Sequence, residues 1–488
     1  MQPPIPHKTA SPESRAPKQR PLDVALRVLL RVDEGAYATL ALTGELSKQP
    51  LPETERALIT ELTYGSLRQV RRIDRALVAH APRGLDKLDP TTRALLRLGA
   101  YQLLFMNAQP HFVVDAVVTT IKKRRGAGLA GFANAVLRKL HSTGEPPLPP
   151  YPPDGATQSQ DKWCKLLALH HGLPDSIVSQ FLAVLPDPRE VDALLRALSQ
   201  PASTWLRLNP LRGTRDEALS ALRDELPEPP KPHALLSTAV ELRSGHPFSG
   251  PGFAKGLYTA QDLAAQLTTQ LLFAATEKGP LSLPAGAILD GCAGVGGKTC
   301  HVAALTQNQR EIDAVDRLPR KLELLRDHAH RLGCTRIRTI CCDLLDNKAA
   351  LRPAYAAVIL DAPCSGSGVL RRHPEARLRP PNIDELVTLQ RQLLDRAAGL
   401  VVPGGVLLYS VCSLFVPEGP LQIAAFLARH PDFVPLPPPP DDPLFFSGPS
   451  PLCEKQAPFA LRTLPHTHNA DGFYAVRLLR TCTAQPTE

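Results

Sequence analysis

"GCAGVGGKTC", residues 291–300, follows the apolar run "AGAILD" (285–290) and opens into "KTCHVAALT" (298–306): a strand, a glycine-rich turn and a helix in direct succession. Because the turn ends in Gly-Lys-Thr, it invites comparison with a phosphate-binding P-loop, which requires a glycine, four residues and then Gly-Lys-Ser/Thr. Counted back from Gly297-Lys298-Thr299, the first glycine would have to stand at Cys292, whereas the glycine present is Gly291. The phosphate-wrapping turn is mis-sized. Closely spaced glycines still let a backbone approach a ligand, and a helix N-terminus favours an anionic or carboxylate-bearing group.

Outward from this turn, apolar strands alternate with helices from about residue 256, the mark of a doubly wound parallel α/β sheet whose ligands lie at the carboxyl ends of strands. The first strand ends in Asp290. "EIDAVD" (311–316) ends in Asp316, about twenty residues beyond the glycines, where a carboxylate can accept both ribose hydroxyls of a nucleoside cofactor. After the helix "LPRKLELLRDHAHRLG" (318–333), "IRTICCD" (337–343) ends in Asp343. Acidic strand ends around one glycine-rich turn suit a neutral-to-cationic adenosyl cofactor and repel a triphosphate.

"YAAVILDAPCSGSG" (355–368) delivers Asp361, Pro363 and Cys364, and "GGVLLYSVCSLFVPEG" (404–419) delivers Cys412. Two strand-end cysteines in such a fold face one cleft. Carbon 5 of a pyrimidine base is a poor nucleophile, but a thiolate added at C6 turns the ring into an enamine-like nucleophile at C5. C5 can then take a methyl group from S-adenosylmethionine, a base removes its proton, and the thiol leaves. Cysteine fits because it is strongly nucleophilic near neutral pH and also a competent leaving group. Either cysteine alone reads as a small buried hydrophobe; the pair at strand ends reads as chemistry.

The 488-residue chain is 43% hydrophobic and 21% charged, ordinary for a soluble globular protein of roughly two to four domains. No stretch of about 18 uninterrupted apolar residues occurs, so no membrane partner and a cytoplasmic location are expected. The ten cysteines form no paired CxxC sets, which argues for reduced thiols and against a structural zinc site. "HH" (170–171) and "HTH" (466–468) lack ligand-spaced acidic or cysteine partners, so no metal is expected. The net charge is +9, and residues 1–150 hold 22 Lys and Arg against 13 Asp and Glu, so the whole excess lies in the first third. A polyanionic partner such as nucleic acid follows.

Residues 1–20 are polar, Pro-rich and expected to be disordered. Helical spacing then recurs at Leu22, Ala25, Leu26, Leu29 and Val32; at Leu58 and Leu62; at Leu67, Val70 and Leu77; at Leu95, Leu96 and Leu103; and at Val114, Val117, Val118 and Ile121. An all-helical bundle over 21–144 is expected, with "RQVRRIDR" (68–75) and "KKRRG" (122–126) turned to RNA phosphates. The proline-dense stretch 145–160 reads as a semi-rigid linker. A small α/β unit, 161–250, contains a strand near Trp205–Leu208 and a helix opening at Thr214; 251–482 form the large α/β domain, and its last strand, "DGFYAVRLL" (471–479), uses Phe473 and Tyr474 for packing.

"LDGCAGVGGKT" (289–299), "LDAPCSGSGVLRRHPE" (360–375) and "LLYSVCSLFVPEG" (407–419) resemble the signature blocks of the Nol1/Nop2/Sun RNA cytosine-C5 methyltransferases, and the helical first third, including "GFANAVLRKL" (131–140), resembles the antitermination factor NusB. The resemblance covers nearly everything beyond the first twenty residues. It implies a Rossmann-like S-adenosylmethionine-dependent methyltransferase domain behind an all-α NusB-like domain, acting on small-subunit ribosomal RNA; a monomer is the default expectation, and no obligate protein partner is evident. It implies that Cys292, Ala293, Gly294, Val295, Gly296, Gly297 and Lys298, with Asp316, Asp343 and Asp361, bind S-adenosyl-L-methionine. The residues alone leave open which cysteine attacks; the resemblance assigns attack to Cys412 and product release to Cys364, with Asp361 and Lys298 beside the target base. It also places Arg371, Arg372 and His373 at the cleft to meet phosphate, and the Gln-Asp segment of "TAQDLAAQL" (259–267) at its edge. Departures from the family pattern are Gly294-Val295 for Ala-Pro, Val411 for Thr and Arg377-Leu378 for Lys-Trp. The rival readings are a non-catalytic RNA-binding or antitermination factor, and methylation of another RNA such as tRNA.

Overall fold

The computed structural model describes residues 20–48, 50–153, 158–346, 349–446, 452–454 and 457–482. The expected disordered tail lies outside them except for residue 20, as does the linker stretch 154–157. The chain divides into two compact units, Met1–Asp154 and Gly155–Glu488.

The first unit consists of α1 (Arg20–Asp33), α2 (Ala38–Leu46), α3 (Glu53–Arg68), α4 (Val70–Val78), α5 (Pro90–Phe105), α6 (Pro110–Arg125) and α7 (Ala127–Thr143), with no strand among its described residues. Asp89 caps α5 by accepting from Thr92 N at 3.1 Å, and Gly126 at φ 93° breaks the chain between α6 and α7. Leu26, Leu62, Leu77, Leu96, Val117 and Leu137 are buried. Leu58, expected on the buried stripe, is exposed: α3 turns Ile59, Leu62, Thr63 and Ser66, spaced three and four apart, to the core instead.

The second unit begins with α8 (Gln160–His171), α9 (Asp175–Val184) and α10 (Pro188–Leu198), then β1 (Thr204–Leu208) and α11 (Arg215–Glu225). Thr214 and Glu217 form a reciprocal capping box at α11. With β2 (Lys231–Pro232), β3 (Ala239–Leu242) and β4 (Tyr258–Ala260), β1 makes an antiparallel sheet of order β2-β3-β1-β4. This sheet runs past the expected limit at residue 250, because β1 pairs with β3 along one edge and with β4 along the other.

After α12 (Pro251–Ala254) and α13 (Leu263–Phe273) come β5 (Ile288–Asp290), α14 (Gly297–Leu305), β6 (Ile312–Asp316), α15 (Pro319–Leu332), β7 (Ile337–Cys341), β8 (Tyr355–Asp361), α16 (Ile383–Leu400), β9 (Val401–Val411), α17 (Pro420–Arg429), β10 (Phe433–Pro435), β11 (Cys453–Glu454), β12 (Ala457–Thr463) and β13 (Phe473–Arg480). The large sheet has the order β11-β12-β13-β9-β8-β5-β6-β7, with β10 also on β13. Only β5 to β9 are parallel; β13 runs antiparallel to β9, and β12 to β13. The expected parallel sheet is thus extended by an antiparallel edge; between β12 and β13 the 464–472 connection is too short for the crossover a parallel pair requires.

Alternation along the strands sorts the core into two faces. Ile288, Ile312, Ile359 and Leu408 pack towards α13 and α14, whereas Leu289, Val358, Leu360 and Leu407 pack towards α16 and α17. β5 sits between β6 and β8, so the winding direction reverses there. Ligands of such sheets lie in the crevice outside the carboxyl ends at that switch.

Candidate active site

At the end of β5 the backbone folds back on β6: Ala293 N donates to Val315 O at 2.8 Å and Gly294 N to Asp316 Oδ2 at 3.1 Å. Gly296 then takes φ 84°, and a Cβ there would stand 2.5 Å from Leu325 Cγ on α15. Only glycine satisfies both conditions. The second glycine of the pair, Gly297, opens α14, and Val295 remains half exposed at the tip of the loop.

Lys298, in the first turn of α14, points across the switch and donates to Asp361 Oδ2 at 2.6 Å. The other oxygen of Asp361 accepts from Ser410 Oγ of β9 at 2.8 Å, and the ammonium lies 4.9 Å from the centre of the Phe473 ring. A buried ammonium held by one carboxylate and one aromatic face is fixed in position.

Beside this pair the two cysteines meet, Cys364 Sγ and Cys412 Sγ being 3.3 Å apart. The hydrogen bond to Cys412, with burial, pushes the Cys364 thiol well above its ordinary pKa, so a proton is retained on it. The residue following each cysteine turns inward to Glu418, which is wholly buried. The Glu418 carboxyl accepts from Ser365 N at 2.8 Å, from the hydroxyls of Ser365 and Ser413, and from Gln390 Nε2 at 3.0 Å. One buried acid thereby ties both cysteine turns together.

Asp290 is buried and accepts from Thr299 Oγ1 at 2.7 Å; burial pushes its carboxyl up to about 6, against that hydrogen bond. Its Oδ1 is buried without a partner. Asp316 receives Leu318 N as well as Gly294 N, and Asp343 receives Leu345 N at 3.0 Å. Lys321 lies 3.5 Å from Asp316 and Arg317 3.6 Å from Asp343, a compensation that strand ends alone do not reveal. The donor set is thus a glycine-lined backbone turn bounded by carboxyl groups, which fits an adenosyl amino acid better than a polyphosphate. Among the described residues no group of three or more His, Cys, Asp or Glu side chains is arranged to hold a metal ion.

The model of the family described as 16S rRNA methyltransferase RsmB/F matches residues 283–479, and that of the NusB family matches residues 19–142. A probable ribosomal RNA small subunit methyltransferase B of Synechocystis is 32% identical, over 91% of this chain and 95% of its own length. The chain belongs to the RsmB/F family. The ribosomal RNA small subunit methyltransferase B of Vibrio cholerae is also 32% identical, over 82% of this chain and 87% of its own length. Among solved structures, PH0851 superposes with a TM-score of 0.75 at 22% identity, covering 95% of this chain and 99% of its own. NSun6 from Pyrococcus horikoshii, solved with SFG, gives a TM-score of 0.53 at 18% identity, covering 64% of this chain and 99% of its own. Both likenesses concern the fold alone, the first along nearly the whole chain and the second along about two thirds of it.

The structure brings together the loop 292–298, Asp316, Asp361, Cys364 and Cys412, while Asp343 stands further out beside Arg317. Two expectations are corrected. Arg371 and Arg372 do not await phosphate: both donate to Asp471, at 2.9 and 2.6 Å, and Arg372 also to Asp262 of the Gln-Asp segment at 2.7 Å. His373 lies 3.5 Å from Glu375. Three of the four arginines of "RQVRRIDR" are likewise engaged internally, Arg68 with Glu61, Arg72 with Glu145 and Arg75 with Pro146 O. In space the histidines do have acidic neighbours that sequence spacing does not show: Asp192 lies 2.6 Å from His171, and Glu190 3.7 Å from His466. Of the departures, Arg377 is buried and bonds the chain ends of α8 and α10 through His171 O and Leu198 O, and Val411 is a buried strand residue opposite Tyr474. Glu418 and its serines escaped the sequence reading, although Ser directly after both cysteines was a visible signal.

Proposed function

We propose that the chain transfers a methyl group to C5 of a cytosine in 16S ribosomal RNA through a covalent adduct, with the NusB-like domain near 21–144 helping to capture the RNA and the domain near 251–482 carrying the reaction in the cytoplasm. The observation that carries this reading is the 3.3 Å approach of Cys364 and Cys412 beside the Lys298–Asp361 pair at the switch of the sheet. Bound S-adenosyl-L-methionine, held by the loop 292–298 and by Asp316, Asp343 and Asp361, supplies the methyl group as a sulfonium. The cytosine has to leave its stack to reach these side chains.

Cys412 adds as a thiolate to C6, and electron density moves to C5. Lys298, oriented by Asp361, donates a hydrogen bond to the polar edge of the base and stabilises the charge that develops there. Once C5 is methylated, its proton must be removed before Cys412 can leave. Cys364 lies against Cys412, 3.3 Å from its sulfur, and is placed to serve this release step.

The test is to replace Cys364 and Cys412 by Ala separately and to incubate each with cofactor and small-subunit rRNA. Cys364→Ala should accumulate a denaturant-resistant RNA adduct and Cys412→Ala none. The reverse result would exchange the two roles, and titration calorimetry showing no S-adenosylmethionine binding at tens of micromolar would overturn the enzymatic reading altogether.

A further inference from the structure

On the catalytic unit, away from the two cysteines, a groove of about 460 Å³ lies between the small sheet and α15, lined by Phe248, Phe253, Thr259, Asp327, His328 and Arg331. Two phenylalanine rings form part of its wall. Phe248 and Phe253 meet edge to face at 5.5 Å, and the Arg331 guanidinium lies 3.8 Å from the centre of the Phe253 ring. Every hydrogen bond of Arg331 goes to a neutral group: Phe253 O at 2.9 Å, Tyr258 O at 3.1 Å and Thr259 Oγ1 at 3.2 Å. Among the described residues no carboxylate pairs with it, so its charge is oriented but not neutralised. Arg212 adds a second cation at this edge, donating to His330 O at 2.7 Å.

One wall of the groove is joined to the loop after β5. His328 bonds Thr259 Oγ1 at 2.8 Å through Nε2 and lies 3.4 Å from Val295 O through Nδ1. Burial pushes His328 down to about 4, so it is neutral near pH 7 and donates from Nδ1 to that carbonyl. Flat apolar faces, an uncompensated guanidinium and an acceptor at Asp327 form a combination complementary to a nucleotide: a ring to stack, a phosphate to meet the cation, and amino or hydroxyl groups to meet the carboxylate.

We propose that this groove is a nucleotide subsite, taking one unpaired nucleotide of the substrate RNA that flanks the target cytosine. The inference rests on the reading of the chain as an RNA methyltransferase. It gives the catalytic unit, whose acidic and basic residues nearly balance, a local RNA contact of its own.

Two measurements test it. RNA carrying 4-thiouridine at single positions around the target is irradiated on the full-length protein, and the cross-linked peptide is identified by mass spectrometry; an adduct within residues 246–255 is expected. Phe248→Leu with Phe253→Leu keeps apolar volume but removes stacking, and should raise the KM for RNA by about tenfold with kcat and S-adenosylmethionine affinity unchanged. An unchanged KM in a folded double variant overturns the subsite, as do cross-links that all fall elsewhere while product still forms. Displacement of a fluorescent mononucleotide by CMP without any RNA cross-link would assign the groove to a free nucleotide and equally overturn the proposal. Absence of product from the unmodified protein would instead overturn the methyltransferase reading, so the two failures are distinct. If the double variant does not fold, the cross-linking on the unmodified protein decides alone.

Discussion

Glu418 is buried with four donors aimed at its carboxyl group, three of them from the serines that follow the two cysteines. Glu418→Gln exchanges an acceptor for an amide donor that faces those same donors, leaving buried groups unpaired at roughly 1–3 kcal/mol each. The expected outcome is a loss of about 2 kcal/mol or more in urea denaturation, together with a fall in kcat larger than any change in the KM for RNA; an unaltered kcat would mean that the cysteine turns hold without it. Asp290 supplies a pH-dependent counterpart. Burial raises its carboxyl to about 6 in the fold, so the stability it contributes is present below the unfolded value near 3.9 and is lost as pH rises through about 6. Asp290→Asn, neutral throughout, should gain on the unmodified protein between pH ~4 and ~7 by up to about 3 kcal/mol; a gap that stays constant with pH would contradict the burial. Both residues show why the site was only partly legible. The two strand-end cysteines, Asp361 and Lys298 announce themselves through residue type and position after apolar runs, whereas Glu418 sits in a short turn where sequence gives no measure of burial, and Arg371 and Arg372 look like phosphate ligands until Asp471, about a hundred residues away in sequence, is seen beside them.

At the scale of elements, the turn after β8 is held by a contact between two glycine backbones. Gly472 N donates to Gly368 O at 2.9 Å, Gly368 N donates to Cys412 O at 3.1 Å, and a Cβ on Gly368 would come 1.9 Å from Gly472 O. A backbone carbonyl cannot rotate away as a side chain can. Gly368→Ala should therefore separate the cysteine turn from the start of β13, abolishing the C364A adduct when the two changes are combined, while S-adenosylmethionine binding on the far side of the switch persists. Retention of the adduct would show that the turn tolerates the shift. The five parallel strands and their helices were readable because each strand is an apolar run ending in a polar turn and each helix has the 3.6-residue period. The antiparallel edge was not, since a buried strand such as β13 carries the same apolar run whichever way its neighbour points. The small sheet shows the same gap: strand β4 has only three residues and is recognised by its pairing with β1, not by its pattern.

At the scale of the whole chain, charge divides unevenly between the two compact units, and the excess of basic residues falls in the first 150. Net charge by itself does not make an RNA surface. Much of it is spent within the bundle: Arg97 on Asp74, Arg72 on Glu145, Arg124 on Asp23 and Arg125 on Asp89. Lys122 and Lys123, at the carboxyl end of α6, are exposed beside these pairs and close the helix with positive charge. The expectation that "KKRRG" meets phosphate thus narrows to its two lysines. A lysine that neutralises one phosphate releases counterions, and each such contact contributes about 0.7 to 0.9 to the slope of log affinity against log salt. Lys122→Ala with Lys123→Ala should lower that slope by about 1.5 to 2. Because both positions are exposed and away from the core, stability should stay within about 0.5 kcal/mol of the unmodified protein. Turnover at saturating RNA should also be unchanged, since neither lysine belongs to the catalytic unit. An unchanged slope would assign RNA capture to the catalytic unit and its aromatic groove, and would leave the helical unit a role other than phosphate binding.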